Sequence, residues 1–419
     1  MHVFSDPFWD NAAMRRPALC SSFLICAILA ACAESDAPSP FEPQATPVPA
    51  AVPARGPRIS GDESIGLALT WMEPGDGHTT LQYSSYLDGG WSAPTRVADV
   101  EDMFVNWADM PSVLPLGSGR LAAHWLQKSA DRTYAYDVMV VHSGDDGKSW
   151  SAPMRPHSDG TPTEHGFVSM FGSGKHTGLI WLDGRKTINQ AGDEPVANGM
   201  TLRGAFIDDK QNLLGTQLID ELTCDCCQTD VAVAASGPVA VYRDRTSDEI
   251  RDIYVTRLIE GQWSDNQRIA ADNWQIAGCP VNGPSIVADG DTIAVAWFTA
   301  ANDRPVVKVS WSGDSGASFT APVEIATRGT LGRVGIALLD KNSAAVSWLE
   351  GGDSEGRTVR VRGIAANGDL GPVRTVARTA GAFAVPQLAK VGNDIVFVWT
   401  EADGSDTRIV SARVPIAAL

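Results

Sequence analysis

The sequence predicts an all-β protein, and within that class a β-propeller of seven four-stranded antiparallel blades. No long segment has apolar residues at helical spacing, whereas short runs of valine, isoleucine, leucine and alanine recur between turn residues. One strand pattern, small apolar residues followed by an aromatic and a polar turn, recurs seven times at spacings of 51 to 61 residues. That period suits the four short strands of a propeller blade. A six-bladed propeller is the alternative.

The aromatic residue that ends each copy is predicted to fill the wedge between neighbouring blades rather than to take part in chemistry. The seven copies end at Trp71, Trp125, Trp181, Tyr242, Trp297, Trp348 and Trp399. In the fifth repeat, strands a to d are expected at 283–288, 292–298, 306–311 and 319–325. The first repeat has a weak strand a and the last repeat lacks strand d. Arg58-Ile59-Ser60 is therefore expected to complete one of them and to close the ring, which removes exposed sheet edges.

The N-terminal residues predict export and lipid attachment. An apolar run at 22–31 follows Arg15 and Arg16 and is too short to span a bilayer, as in a signal peptide. Leu29-Ala30-Ala31-Cys32 resembles a bacterial lipobox, a resemblance that implies cleavage before Cys32 and a diacylglycerol on its thiol. An ordinary secretory signal is the alternative. Translation is expected to start at Met14.

These features divide the chain into a signal peptide at 1–31, the lipidated Cys32 with a proline-rich linker at 32–57, and a propeller at 58–419. Alanine rather than aspartate follows Cys32, which favours an outer-membrane lipoprotein, on the periplasmic or the surface side. The membrane is then a partner through the lipid anchor, and the body is expected to be a monomer. The net charge of −17 argues against nucleic acid as a partner, because phosphate binding needs a cationic face.

Two eight-residue motifs repeat within the body. The first reads Ser143-Gly-Asp145-Asp-Gly147-Lys-Ser-Trp150, and the second reads Ser312-Gly-Asp314-Ser-Gly316-Ala-Ser-Phe319. In each, the aspartate is expected to accept turn amides, the glycine to take positive φ, and the aromatic to pack under the next strand. The motifs match the Asp-box pattern Ser-x-Asp-x-Gly-x-x-Trp, with phenylalanine in the second copy. The body therefore resembles the sialidase family of Asp-box propellers, although that family has six blades.

The resemblance implies what a catalytic sialidase would need: three arginines for the substrate carboxylate, a tyrosine nucleophile beside a glutamate, and an aspartate acid–base. Pro57-Arg58-Ile59-Ser60 is a partial match to the family's first arginine motif. Arg185 and either Arg243 or Arg245 are candidates for the other arginines, and Asp109 is the candidate acid. No convincing tyrosine is found, because Tyr242 occupies a packing position and Tyr254 lies on a strand c.

The loops opposite the Asp boxes carry the unusual polar residues. Strands alternate in direction, so the d–a and b–c connections share one face of a propeller. The b–c loops of repeats 3 and 4 supply Arg185, Arg243, Arg245 and Glu249, and a d–a link supplies Asp109. We expect these residues to form a ligand or glycan site, for which a small acidic ligand is a candidate, near the mouth of the central channel. The alternative is that they pair with each other across loops.

Four cysteines, Cys224, Cys226, Cys227 and Cys279, fall in two neighbouring d–a links on the same face. In an oxidising compartment they predict two disulfides, of unspecified connectivity except that a Cys226–Cys227 bond is disfavoured. A zinc or copper site is the alternative, and no other cofactor is expected. The sequence thus favours a propeller that binds a ligand or glycan with an incomplete catalytic set. An exo-sialidase, or a related glycoside hydrolase acting on acidic sugars, is the alternative function.

Overall fold

The computed structural model describes residues 41–188, 199–351, 356–379 and 385–419, and these residues form seven antiparallel sheets. Each sheet is one blade of a β-propeller, which confirms the predicted fold and the count of seven. The predictions for the signal peptide, for Met14 and for Cys32 lie outside the described residues.

The strands follow one another blade by blade. The chain first forms β1 (Gln44–Thr46), which belongs to the last blade. Blade 1 contains β2 (Arg55–Asp62), β3 (Gly66–Pro74), β4 (Thr79–Leu87), β5 (Gly90–Trp91) and β6 (Thr95–Val100). Blade 2 contains β7 (Ser112–Pro115), β8 (Leu121–Lys128) and β9 (Tyr136–Ser143). Blade 3 contains β10 (His165–Ser173), β11 (His176–Asp183), β12 (Met200–Ile207) and β13 (Leu213–Thr223).

Blade 4 contains β14 (Asp230–Ala234), β15 (Gly237–Arg243), β16 (Ile253–Ile259), β17 (Gln262–Trp263) and β18 (Gln267–Arg268). Blade 5 contains β19 (Ser285–Asp289), β20 (Thr292–Thr299), β21 (Val306–Ser312) and β22 (Val323–Ala326). Blade 6 contains β23 (Thr330–Asp340), β24 (Ser343–Glu350), β25 (Arg357–Ala365) and β26 (Arg374–Thr379). Blade 7 contains β27 (Gln387–Val391), β28 (Asp394–Asp403) and β29 (Asp406–Pro415).

Two short 3₁₀ helices, Ala301–Asp303 and Ile416–Ala418, complete the described elements. No helix within the described ranges has the length and apolar character needed to cross a membrane. In blades 1 and 4 the outer strand is divided in two, so that β5 and β6 both pair with β4, and β17 and β18 both pair with β16. Blade 2 has three strands, and Met154 forms an isolated bridge to Val140 where a fourth strand would lie.

The ring closes with the N-terminal end of the described chain. Arg58-Ile59-Ser60 lies in β2 and completes blade 1, with Arg58 opposite Thr70. Blade 7 is completed by β1, in which Ala45 lies opposite Ala412 of β29. Residues 44–46, expected within the linker, thus belong to the propeller. Backbone pairing with β1 satisfies the edge of β29, and Arg413 Nη2 donates to Gln44 Oε1 at 3.4 Å. No alternating side-chain pattern marks this short strand in the sequence.

The repeated aromatic residues fill the wedges between blades as predicted. Trp71, Trp181, Tyr242 and Trp297 have no exposed surface, and Trp125, Trp348 and Trp399 are at most 3% exposed. The described buried apolar residues form seven clusters, each joining the sheets of two neighbouring blades. The core is therefore a ring of interblade layers, which fixes the positions of the inner strands around the central channel.

Both Asp boxes lie on c–d turns, the predicted location. Asp145 accepts hydrogen bonds from the Ser149 amide (2.9 Å) and from the Ser149 and Ser143 hydroxyls (2.6 and 2.8 Å). The box that follows β21 repeats this geometry around Asp314. Gly147 and Gly316 have φ of 76° and 81°, a conformation that favours glycine. These bonds are local and stabilise the two c–d turns.

Candidate functional site

The central channel holds a cavity of about 620 Å³. Its wall is formed mainly by the first strand of each blade, namely β2, β7, β10, β14, β19, β23 and β27. The wall combines charged groups with hydroxyl and amide side chains, which include Ser60, Ser112, Ser169, Gln228, Thr229, Asp230 and Ser285. A concave site of this volume with convergent polar groups is typical of a small-ligand site.

β-Bulges interrupt three of these inner strands at the end nearest the d–a links. The register shifts between Arg55 and Arg58 in β2, between Gly166 and Ser169 in β10, and between Gly332 and Gly335 in β23. Phe167 and Arg333 sit in two of the bulges with φ of 53° and 56°, a conformation that is costly for side chains other than glycine. Bulges often redirect side chains beside functional sites.

Two arginines, Arg58 and Arg333, line the cavity and have no ion pair among the described residues. The Arg58 guanidinium donates a 3.4 Å hydrogen bond to the Val168 carbonyl. The Arg333 guanidinium lies 4.8 Å from the centre of the Trp107 ring and 3.5 Å from the Pro280 carbonyl oxygen. Burial lowers the pKa of Arg333 to about 10, which still leaves it cationic at neutral pH. Both groups are therefore available to an anion.

Two carboxyl groups face Arg58 from beyond ion-pair distance. Burial raises the pKa of Asp230, and the charge of Arg58 opposes that shift. Burial likewise raises the pKa of Asp109 to about 7, although the hydrogen bond from the Phe167 amide and the charge of Arg58 both act to lower it. The charge of Arg58 is therefore opposed by two carboxyl groups whose ionisation is disfavoured by burial.

Asp109 also belongs to a buried trio with Tyr136 and Glu164. The Tyr136 hydroxyl donates a hydrogen bond to Glu164 Oε1 and lies 3.5 Å from Asp109 Oδ2. The Phe167 amide donates to both oxygens of Asp109, at 2.8 and 2.9 Å. Burial raises the pKa of Glu164 to about 7 and that of Tyr136 well above its ordinary value. Two carboxyl groups that titrate near neutral pH around one hydroxyl can donate and accept protons.

The bulge in β10 requires glycine beside this trio. A Cβ atom at Gly166 would lie 2.1 Å from Asp109 Oδ2 and 2.9 Å from Tyr136 Cε2. The strained Phe167 amide therefore reaches Asp109 only because residue 166 has no side chain. The same bulge that distorts β10 holds the Asp109 carboxylate in place.

Arg185 follows β11 of blade 3 and lies in a compact ion network. Its Nε and Nη2 donate to Asp183 at 2.6 and 2.7 Å, and Nη2 lies 3.1 Å from Asp159. The rings of His157 and His165 stack with centroids 3.9 Å apart, and His165 Nε2 lies 3.2 Å from Asp159. Burial alone lowers the pKa of His165, but Asp159 and Asp183 outweigh it and raise the pKa. The contacts of Arg185 with Asp183 and Asp159 mean that its charge is already paired within the protein.

The same histidines and aspartates are close enough to hold a metal ion, since the ligand atoms of Asp137, His157 and His165 lie within 4.8 Å of one another. The donors already have partners, however. The Val138 amide lies 3.3 Å from His157 Nε2, and His165 Nδ1 lies within hydrogen-bond distance of the Thr163 carbonyl. The arrangement fits a compensated ion network.

Arg243, a predicted ligand residue, is buried with 1% of its surface exposed. Its guanidinium donates to the carbonyls of Arg251 (2.6 Å), Phe298 (2.7 Å) and Asn282 (2.9 and 3.0 Å), and it lies over the Trp274 ring. These bonds use four of the five N–H groups of the guanidinium, and the side chain is closed off from solvent. The side chain ties the b–c loop of blade 4 and the d–a link between blades 4 and 5 to strand β20.

Arg245 and Glu249 do meet at the surface of the b–c loop of blade 4. Arg245 Nη2 lies 2.6 Å from Glu249 and its Nη1 lies 3.1 Å from Asp225. Glu249 also pairs with Arg251 at 2.8 Å. Residues of this loop and of β13 line a second cavity of about 460 Å³, but its charges are mutually paired.

The cysteines form one disulfide and one pair of thiols. Cys226 and Cys279 are bonded and join the two d–a links, which is one of the two disulfides that the sequence predicts; the second does not form. Cys224 and Cys227 are free, buried, and have Sγ atoms 3.1 Å apart. Two thiolates bound to one zinc at about 2.3 Å in tetrahedral geometry would have sulfurs nearly 4 Å apart. The observed arrangement fits a dithiol beside a disulfide, and the zinc or copper alternative stays a prediction.

Sequence reasoning missed Tyr136 and Arg333. Tyr136 begins β9, where the repeat pattern marks only strand packing, and its partners come from two separate d–a links. Arg333 lies in an inner strand, and the bulge between Gly332 and Gly335 changes the face of the strand on which its side chain lies. The one available signal was the glycine pair Gly332 and Gly335 around Arg333, since glycines inside a strand indicate a bulge.

No protein-family model matches the chain, and no curated protein matches its sequence. Its fold matches solved structures. A protein of unknown function from Dyadobacter fermentans has 14% identity and a TM-score of 0.50, covering 89% of this chain and 98% of its own. The polysaccharide lyase Uly1 has 10% identity and a TM-score of 0.50, covering 88% and 91%.

The NanB sialidase from Streptococcus pneumoniae has 10% identity and a TM-score of 0.45, covering 84% of each chain. Identities this low show a shared fold and leave activity open. The protein is thus a seven-bladed β-propeller structurally similar, at low identity, to a polysaccharide lyase and to a protein of unknown function.

Proposed function

We propose that the protein binds an acidic carbohydrate in its central channel, with the sugar carboxylate held by Arg58 and Arg333. The observation that carries the proposal is the presence of two cationic guanidinium groups in one cavity, neither in an ion pair with a described residue. Guanidinium groups match the geometry of a carboxylate and bind it through charge-assisted hydrogen bonds.

The rest of the wall supports a sugar rather than a simple anion. Gln228, Thr229 and Asp230 line one side of the cavity, and Ser112 and Ser169 add hydroxyl groups. Such side chains exchange hydrogen bonds with sugar hydroxyls. The volume of about 620 Å³ lies within the range of sites that enclose small ligands. The proposed ligand site is the central channel, which the inner strands of the blades enclose, rather than the loops of blades 3 and 4 that the sequence favours.

Hydrolysis of the bound sugar is the second candidate function, and the trio of Asp109, Tyr136 and Glu164 favours it. A tyrosine activated by a glutamate, with an aspartate as acid–base, is the set that a sialidase mechanism uses. Asp109 links this trio to Arg58 through its charge. Tyr136 is 1% exposed, however, and its hydroxyl does not line the cavity. Binding therefore stands first.

Two assays on the full chain test the two candidates, one for binding and one for hydrolysis. We expect glucuronate and N-acetylneuraminate to bind measurably by calorimetry, and glucose, which lacks the carboxylate, to bind at least about tenfold more weakly. A fluorogenic sialoside is the probe for hydrolysis. Turnover that peaks near pH 7, and that Tyr136→Phe abolishes while sugar binding persists, would establish the second candidate. Equal affinity for glucose and glucuronate would contradict the proposed function.

A further inference from the structure

The four cysteines of the d–a links form a sulfur cluster that a ligand-binding role does not explain. The Sγ atoms of Cys224, Cys226 and Cys227 lie within 4.8 Å of one another, and Cys226 is bonded to Cys279. One dithiol and one disulfide are therefore in mutual contact range. A disulfide that only joins two loops has no need of the Cys224 and Cys227 thiols beside it.

The two pairs differ in their access to solvent. Cys224 has no exposed surface and Cys227 is 2% exposed, whereas Cys226 is partly exposed and Cys279 is exposed. The exposed pair can meet an external thiol or disulfide, and the buried pair cannot. A reagent from outside can therefore reach the buried pair only through Cys226 and Cys279.

The buried pair is set up to present an anionic sulfur. Arg251 Nη1 donates to Cys224 Sγ at 3.3 Å, and Cys227 Sγ lies 3.1 Å from Cys224 Sγ, where its S–H can donate to it. Arg251 is itself held by Glu249 at 2.8 Å. A thiolate rather than a thiol attacks a disulfide, so Cys224 is the nucleophile of the cluster.

We propose that Cys224, Cys226, Cys227 and Cys279 form a thiol–disulfide relay, which moves one disulfide between the buried and the exposed pair and exchanges an electron pair with an external disulfide at Cys279. In the first step Cys224 thiolate attacks Cys226 Sγ. The Cys224–Cys226 bond forms, the Cys226–Cys279 bond breaks, and Cys279 leaves as a thiolate.

In the second step Cys227 gives its proton to the Cys279 thiolate or to water, and its thiolate attacks Cys224 Sγ. The Cys224–Cys227 bond forms and Cys226 leaves as a thiolate. No electrons are gained or lost within the chain. The exposed dithiol then reduces an external disulfide. The Cys279 thiolate attacks one external sulfur and forms a mixed disulfide, which releases the other external thiol. The Cys226 thiolate then attacks Cys279 Sγ, which restores the Cys226–Cys279 bond and releases the second external thiol. Two external thiols are released and both protein disulfides are left oxidised.

Alkylation of the folded full chain tests the internal step. The protein is reduced with dithiothreitol until two of these four cysteines carry free thiols. The free thiols are then alkylated with N-ethylmaleimide, and the tryptic peptides are mapped without further reduction. Cys279 and the other three cysteines fall in different peptides, since Arg243 and Arg268 are cleavage sites between them. We expect Cys279 to become labelled while the peptide of Cys224 to Cys227 acquires an internal disulfide.

Two matched variants separate the steps. Cys224→Ser removes the nucleophile, so Cys279 should stay unlabelled. Cys227→Ser removes only the second attack, so Cys279 should be labelled and the Cys224–Cys226 bond should accumulate. If either variant fails to fold, the wild-type map decides. A persistent Cys226–Cys279 bond with label only on Cys224 and Cys227 would overturn the proposal, as would equal Cys279 labelling in Cys224→Ser.

The external step is measured with oxidised glutathione. The two-thiol wild-type chain should release two molecules of reduced glutathione and finish with no alkylatable thiol among the four cysteines. A chain that shifts its disulfide internally but releases no glutathione would contradict the external part of the proposal.

Discussion

Replacing Arg243 with methionine should destabilise the protein by about 3 to 5 kcal/mol and lower the midpoint of urea unfolding by about 1 M. The guanidinium makes four hydrogen bonds to the carbonyls of Arg251, Asn282 and Phe298, all within a buried site. Methionine fills the volume but cannot donate, so these carbonyls lose partners that water cannot replace. Each unpaired buried polar group costs about 1 to 3 kcal/mol.

Arg245→Met is the matched control, two residues away in the b–c loop that follows β15. The side chain of Arg245 is 21% exposed and pairs with Asp225 and Glu249 near the surface. Pairs of this kind contribute at most about 1 kcal/mol. Denaturation followed by tryptophan fluorescence should separate the two variants clearly. Equal stability of both variants would return Arg243 to the set of ligand candidates.

Replacing Arg58 with methionine should weaken the binding of glucuronate about 100-fold, measured by calorimetry, because hydrogen bonds to charged groups contribute about 1.5 to 3 kcal/mol each. Arg58→Lys should retain part of the affinity, since lysine keeps the charge and loses the two-pronged geometry. Thermal melting checks that each variant is folded. Arg333→Met replaces the Arg58 variant if that chain does not fold.

Arg96→Met is the control for this series. Arg96 belongs to the outer strand β6 of the same blade, its side chain is 66% exposed, and it pairs with Asp99 at 3.7 Å. It lies away from the channel, so its loss should leave glucuronate affinity unchanged. A loss of affinity in Arg96→Met as large as in Arg58→Met would mean that the net charge of the protein, rather than the channel, governs binding.

The fold was largely predictable because its signals are local and repeated. Trp71 and Trp297 mark equivalent positions in different blades, and the Asp boxes at Asp145 and Asp314 carry their bonding partners within the same turn. The closing strand β1 was not predictable, since its pairing with β29 joins residues more than 360 positions apart and depends mainly on backbone groups.

The candidate site was predictable only in part, because burial depends on non-local partners. The sequence places Arg243 and Arg245 side by side in one loop, and both read as surface cations. Only the approach of the Asn282 and Phe298 carbonyls makes Arg243 an interior residue. Tyr136 gains its role in the same way, from the d–a links that carry Asp109 and Glu164.

A crystal structure of the full chain with bound glucuronate tests the central claim most directly. Binding in the channel predicts that the sugar carboxylate lies within hydrogen-bond distance of both Arg58 and Arg333, with its hydroxyls facing Gln228 and Asp230. Glucuronate bound at the blade 3 and 4 loops beside Arg245, with the channel unoccupied by sugar, would contradict the account.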